Sequence, residues 1–228
     1  MTTRRPLERP AEPPARYSAT ERARFASGSA TIQLHHVLGH DPYLRPYAFN
    51  GRQDFTFYPG PRLPDPAFPD LKNKSFTLTA SIEIPDSGAE GVLATQGGRF
   101  GGWGLLVYKS APAFIYKFFN FPGQMLRIDS PHPLAPGKHV VSVDFTYDGG
   151  GLGKGGIFVL KADGVEVARG RIEHTVPGWF PQEGVGIGHD TGTPIAEDYK
   201  IPFKFTGTLE RLDVHLATPA GMPPPGVD

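Results

Sequence analysis

The sequence predicts an all-β fold, an antiparallel two-sheet sandwich of the jelly-roll kind, and three observations predict it. Apolar residues recur with a period of two over many short stretches. In one of them Phe76, Leu78, Ala80, Ile82 and Ile84 share a face, and Thr77, Thr79, Ser81 and Glu83 the other, as in a half-buried strand. Proline and glycine number 25 and 29 among 228 residues, so regular elements are often interrupted and long helices are disfavoured. The stretches succeed one another closely through turns rich in Asp, Gly and Pro, with no repeat of fixed period, which points to a two-sheet sandwich or jelly roll.

In chain order, residues 1–17 are Pro-rich and poor in large apolar side chains. Burial cannot offset their ordering entropy, so a disordered tail is expected, and the same holds for 217–228. Residues 18–53 are expected to form an irregular segment whose short helix, over 19–26 with Ser18 or Thr20 as cap, packs on the sandwich. The sandwich itself is expected over 54–216. Its strands are predicted from Phe55 onward: 75–84, 91–96, 103–109, 113–119, 124–128, 139–147, 156–162, 165–172 and 208–216.

Composition bounds the function. Twenty-three Lys and Arg balance 23 Asp and Glu, so no long-range attraction to nucleic acid or anionic membrane is expected. The absence of cysteine removes disulfides, thiol nucleophiles and thiolate metal sites. The N-terminal arginines precede no apolar stretch and no apolar run is long enough to span a bilayer, so a soluble, cytoplasmic protein is expected.

Gly151, Gly153 and Gly156 in "YDGGGLGKGG" fit the spacing of a dinucleotide-binding loop. A strand precedes them, but residues 157–170 alternate and carry the hairpin pair Asp163-Gly164, where a phosphate cradle needs a helix N-terminus. A connection between antiparallel strands is therefore expected.

The segments "AEGVLATQGGRFGGWGLLVY", "LAPGKHVVSVDFTYDGGGLGKGG", "ADGVEVARGRIEHTVP" and "DTGTPIAEDYKIPFKFTGTLERLDV" together resemble the C-terminal accessory domain of large bacterial arylsulfatases, over about residues 54–216. The resemblance implies a concanavalin A-like sandwich that, in those enzymes, comes after the catalytic domain. The sulfatase pattern C/S-x-P/A-x-R is absent here: "SAPAF" and "SPHPL" both lack the arginine. Sulfatase activity by the formylglycine route is accordingly excluded, and the chain resembles an accessory domain without its enzyme.

Several clusters are candidate sites. His36 and His40, with Asp41 and beside His35, would suit a metal if helical, but Gly39 and Pro42 disfavour the helix and leave a polar loop as the alternative. The loop 189–199 gathers His189, Asp190, Asp198 and Tyr199. Its oxygens suit calcium, or an acid and base acting on a substrate, and the alternative is that Asp190 and Asp198 hold the loop's own backbone. No other cofactor is expected. Gln96, Arg99 and Trp103 sit among glycines that permit close approach of a ligand or another domain. Tyr116 and Phe118 lie on a strand apolar on both faces, as in one lining an apolar pocket. Glu210 and Asp213 are expected on opposite faces of one strand.

These features suit three functions. The first is a noncatalytic module binding a small molecule, carbohydrate or protein. The second is a recruited enzyme of isomerase, cyclase or lyase type, with Tyr116, His189, Asp190 and Asp198 as acid–base groups. The third is self-association into a homo-oligomer.

Overall fold

The computed structural model describes residues 52–119 and 123–217, all within the unit that spans Ala48–Asp228. The expected N-terminal tail, the helix over 19–26 and the cluster of His35, His36, His40 and Asp41 lie outside the described residues, as does 218–228.

The described chain is a β-sandwich of jelly-roll, concanavalin A-like type. Its strands are β1 (Asp54–Phe57), β2 (Phe76–Ile84), β3 (Gly91–Gly98), β4 (Gly101–Tyr108), β5 (Ala111–Lys117), β6 (Met125–Asp129), β7 (Gly137–Tyr147), β8 (Lys154–Ala162), β9 (Val165–His174), β10 (Val185–Ile187), β11 (His189–Asp190), β12 (Phe203–Lys204) and β13 (Thr208–Leu216). One sheet has the order β1-β13-β2-β7-β8-β9, and the other β11-β12-β3-β4-β5-β6, with β10 also on β3. β12 lies parallel to β3, and all the other ladders are antiparallel.

The period-two pattern places the core. From the first sheet Phe76, Leu78, Ile82, Val141, Val143, Phe145, Phe158 and Leu160 point inward, and Leu93, Trp103, Leu105, Phe114 and Tyr116 meet them from the second. Phe158 sits at the centre, with ring centroids 4.2 Å from Phe145, 4.8 Å from Phe114 and 5.4 Å from Tyr116. Offset aromatic contacts of this kind add about 0.5–1.5 kcal/mol each beyond area burial.

The second sheet is buried on both faces. Val92, Leu106, Ala113 and Ile115 point away from the main core and pack under Ile195, Ala196 and Tyr199, with Phe203 at the margin. This second layer explains why the strand around Tyr116 is apolar on both sides: Tyr116, where a ligand pocket was expected, faces the main core, and the outer face with Ile115 meets the chain's own 191–202 segment.

Two local readings are corrected. The register of β13 shifts between Leu209 and Arg211, so the extra residue Glu210 leaves Leu209 and Leu212 both buried. Glu210 and Asp213 therefore both face outward, on Lys138 and Thr56 respectively, because a bulge breaks strict alternation. The strand expected over 113–119 ends at Lys117, where Phe119 takes a φ of 50°.

Candidate functional site

The 191–202 segment joins β11 to β12, and those strands pair with each other, His189 opposite Lys204 and Asp190 opposite Phe203. No backbone–backbone hydrogen bond joins the segment to a sheet among the described residues. Side chains hold it. Asp190, fully buried, accepts hydrogen bonds from Arg62 at 3.1 Å, the Gly192 N–H at 3.0 Å and the Tyr199 hydroxyl at 2.7 Å. Tyr199 accepts in turn from the Ile195 N–H at 2.8 Å. Burial, then the adjacent Asp190 charge and its hydrogen bond, push the Tyr199 hydroxyl well above the usual phenol range, which keeps it a donor. Glu183 receives Thr193 through both its N–H and its hydroxyl. Arg62 also donates to the backbone carbonyls of Glu183 and Gly184.

Asp190 and Tyr199 are thus engaged in a closed hydrogen-bond network, with Arg62 on one Asp190 oxygen and Tyr199 on the other. Asp198 faces Arg127 at 2.5 Å, and the same guanidinium holds Asp129 at 2.9 Å and lies over the Tyr108 ring. His189 is half-buried, with Nδ1 3.2 Å from the Ile187 carbonyl. Tyr116 lies on the opposite side of the second sheet from Tyr199. Its hydroxyl accepts the Val176 N–H at 2.9 Å, and burial pushes it far above the usual phenol range. The four expected acid–base groups are not brought together.

Trp103, expected at a surface, is fully buried. Its indole N–H donates to Gln96 Oε1 at 3.2 Å, and Gln96 donates to Asp65 at 2.9 Å. The physical reason is parity: Trp103 shares the inward face of β4 with Leu105 and Val107. The surrounding glycines serve contacts within the chain. A Cβ on Gly104 would stand 3.1 Å from Ile195 Cγ2, and one on Gly98 would overlap Thr193 and Glu183. The small cavity beside Trp103 and Tyr116, lined also by Phe76, Phe145 and Phe180, measures about 10 Å³, room for one water and not for a substrate.

Apart from Tyr58, which follows β1 and is 68% exposed, exposed aromatic surface lies at the end of the sandwich where β3, β5, β7 and β9 finish. The β3–β4 turn presents Phe100 (56% exposed) beside Arg99, whose guanidinium meets Glu197 at 3.3 Å. Phe118 is half-buried there, its ring 5.0 Å from Phe119 and 6.1 Å from His174. The β9–β10 connection presents Trp179, 74% exposed. It is held in place by its neighbours: Val176 is fully buried, Phe180 packs 6.1 Å from the Tyr116 ring, and the Pro177 carbonyl accepts from Asn73 at 2.7 Å.

The glycine-rich stretch is the β7–β8 connection at this same end. Gly149, Gly150, Gly151 and Gly153 have φ of 75°, 71°, 127° and 64°, values other residues adopt with strain. Its Gly153 N–H donates to Asn73 Oδ1 at 2.8 Å. The sequence reading missed Trp179, though an isolated Trp between Gly178 and Phe180-Pro181 in a turn-rich stretch was a signal for it. Arg62, Asp65 and Glu183 carried no such signal, since each partner is remote in sequence.

No protein-family model matches the chain, and no curated protein matches its sequence. Among solved structures, the chain is similar to the Ruminococcus gnavus IT-sialidase CBM40 bound to alpha2,3 sialyllactose, with a TM-score of 0.45 and 15% identity over 63% of this chain and 76% of that one. It is also similar to domains LG4-5 of the mouse laminin alpha1 chain, with a TM-score of 0.44 and 13% identity over 72% of this chain and 39% of that one. A third is the receptor binding domain of a botulinum neurotoxin C/D mosaic serotype, with a TM-score of 0.37 and 13% identity over 63% and 32%. At these values the likeness is one of backbone course.

Proposed function

We propose that the chain is a noncatalytic β-sandwich binding module that contacts a carbohydrate through the end bearing Trp179, Phe100 and Arg99. The exposure of Trp179 at 74% carries this reading. A large aromatic ring held out in water, between buried Val176 three residues before it and buried Phe180 after it, has no packing role, and its flat face suits stacking on a ring of the ligand. In its own connection the ring stands alone, since Pro177 and Gly178 are exposed and Phe180 is buried. One platform over polar backbone fits a sugar face better than the broad patch of about 800 Å² that a stable protein partner needs. The order of motifs over 54–216 supports kinship with the sulfatase accessory domain, and Arg99 and Phe100 belong to the stretch that carries that resemblance.

The recruited-enzyme reading draws less support, because Tyr116 and Asp190 are occupied by hydrogen bonds within the chain and Asp198 by Arg127, and Tyr116 lies across the sheet from the 191–202 segment. The test is titration of Trp179 fluorescence with a panel of neutral and acidic oligosaccharides, with Trp179→Phe as the blank. The sequence contains two tryptophans and Trp103 is buried, so the response reports the exposed ring. Silence across the panel would overturn the reading.

A further inference from the structure

We infer that the ligand of the Trp179 end is a sugar bearing an anionic group, a sulfate or a carboxylate; this rests on the reading of that end as the binding surface. Three segments interlock there. Asn73 bonds the Pro177 carbonyl at 2.7 Å and the Gly153 N–H at 2.8 Å. Thr175 closes the same hub, its hydroxyl donating to the Lys154 carbonyl at 2.7 Å and its N–H to the Gly153 carbonyl at 3.2 Å. The residues that flank the hub are Lys74, Lys154 and Trp179.

Charge decides the ligand class. Lys74 and Lys154 form no ion pair among the described residues. The acids of the neighbouring strand ends are already engaged, Asp148 and Glu173 both by Arg171 at 2.8 Å. The N–H groups of Gly149, Gly150 and Gly151 have no acceptor among the described residues. Around this hub, whose Pro177 lies two residues before Trp179, the surface therefore offers two unpaired lysines and free N–H donors, against the single net negative charge that Asp148 and Glu173 keep when they share Arg171. A neutral sugar would use the ring alone. A sugar with a sulfate or carboxylate would use the ring together with charge-assisted hydrogen bonds, which are about twice as strong as neutral ones. The glycines let the backbone come close to such a group, a use of this loop that requires no helix after it.

The experiment titrates the full chain with three tetrasaccharides: chitotetraose, desulfated chondroitin tetrasaccharide and chondroitin 4-sulfate tetrasaccharide. Trp179 fluorescence is the readout, and the indole N–H resonance, assigned with Trp179→Phe, is the check. An acidic tetrasaccharide should bind at least tenfold more tightly than chitotetraose, and its affinity should fall as salt rises. The two acidic probes separate carboxylate from sulfate as the preferred group. Lys154→Gln and Lys74→Gln should each weaken the acidic ligand by about tenfold and leave chitotetraose unchanged, with unaltered circular dichroism confirming the fold. Equal binding of neutral and acidic probes, indifferent to both lysine variants, would overturn the anionic assignment while leaving Trp179 as the binding platform. No response of the Trp179 signal to any of the three would overturn both.

Discussion

The Tyr199 hydroxyl donates to Asp190 Oδ2 at 2.7 Å inside the second apolar layer, and this bond ties the 191–202 segment to the paired strands at its base. With Arg62 on the other oxygen, Asp190 joins parts of the chain 128 residues apart.

Breaking that junction has an ordered set of costs. Tyr199→Phe removes the donor to Asp190 and the acceptor of the Ile195 N–H, and is expected to destabilise by about 1–3 kcal/mol. Asp190→Ala leaves the Arg62 guanidinium largely buried without its carboxylate and is expected to cost more, about 3–5 kcal/mol. Urea unfolding measures both, and equal small effects would mean that the network contributes little.

The two tryptophans should behave oppositely. Trp103→Ala empties the core beside Phe68 and Phe180 and is expected to cost about 3–5 kcal/mol. Trp179→Ala should change stability by no more than about 0.5 kcal/mol while abolishing ligand binding. Acrylamide quenching should divide the fluorescence into one accessible and one protected component.

Gly104→Ala tests whether the 191–202 segment sits as closely on the sheet as described. The added methyl would stand 3.1 Å from Ile195 Cγ2, so either the segment lifts or the strand shifts, at a cost of about 1–3 kcal/mol. Faster amide exchange at Ile195, with β7 and β8 unchanged, would identify the segment as the part that yields.

His139 sets a pH dependence. Its Nδ1 lies 2.8 Å from Asp163 and its Nε2 2.8 Å from the Ala135 carbonyl, so both acceptors are satisfied only by the imidazolium. Burial alone would lower its pKa, but the hydrogen bonds to Asp163 and Ala135 outweigh it and the net shift is upward. Burial likewise acts to raise Asp163, and His139 with the Val140 N–H draws it below the usual carboxylate range. The His139 contribution is therefore full below its ordinary value and lost as pH rises through its raised folded value. The Asp163 contribution is full above the ordinary carboxylate value and lost as pH falls through its depressed one. Stability from the pair should peak in mildly acidic solution and decline toward pH 8. Thermal melts from pH 4 to 9 should show that His139→Gln flattens this profile, and an unchanged profile would exclude the pair as its source.

Much of the fold was legible locally. Phe76 to Ile84 alternate and form β2 as expected, and Asp163-Gly164 closes the β8–β9 hairpin with φ of 51° and 79°. The short strands β10, β11 and β12 escaped, because two or three residues carry no period and their pairing depends on β3. Glu210 was misassigned because a bulge adds a residue that no alternation predicts.

At the candidate site the balance reverses. Gln96, Arg99 and Trp103 were grouped by proximity in sequence, yet pleat parity sends Trp103 and Gln96 inward and leaves Arg99 outside. Tyr116 and Phe118 suggested an apolar pocket, but sequence cannot distinguish a face covered by a ligand from one covered by the facing sheet, as Tyr116 is by Phe158.

What the sequence by itself determined was the all-β class, the main strands and the glycine-rich loop as a strand connection, because period two and turn chemistry are properties of neighbours. Only the tertiary structure decided that Asp190 is held by Arg62, that the second sheet has a layer on each face, and that Lys74, Lys154 and Trp179 flank one hub. Those are contacts between remote segments, set by burial and hydrogen-bond satisfaction after the sheets have packed, and no short stretch of the chain encodes them.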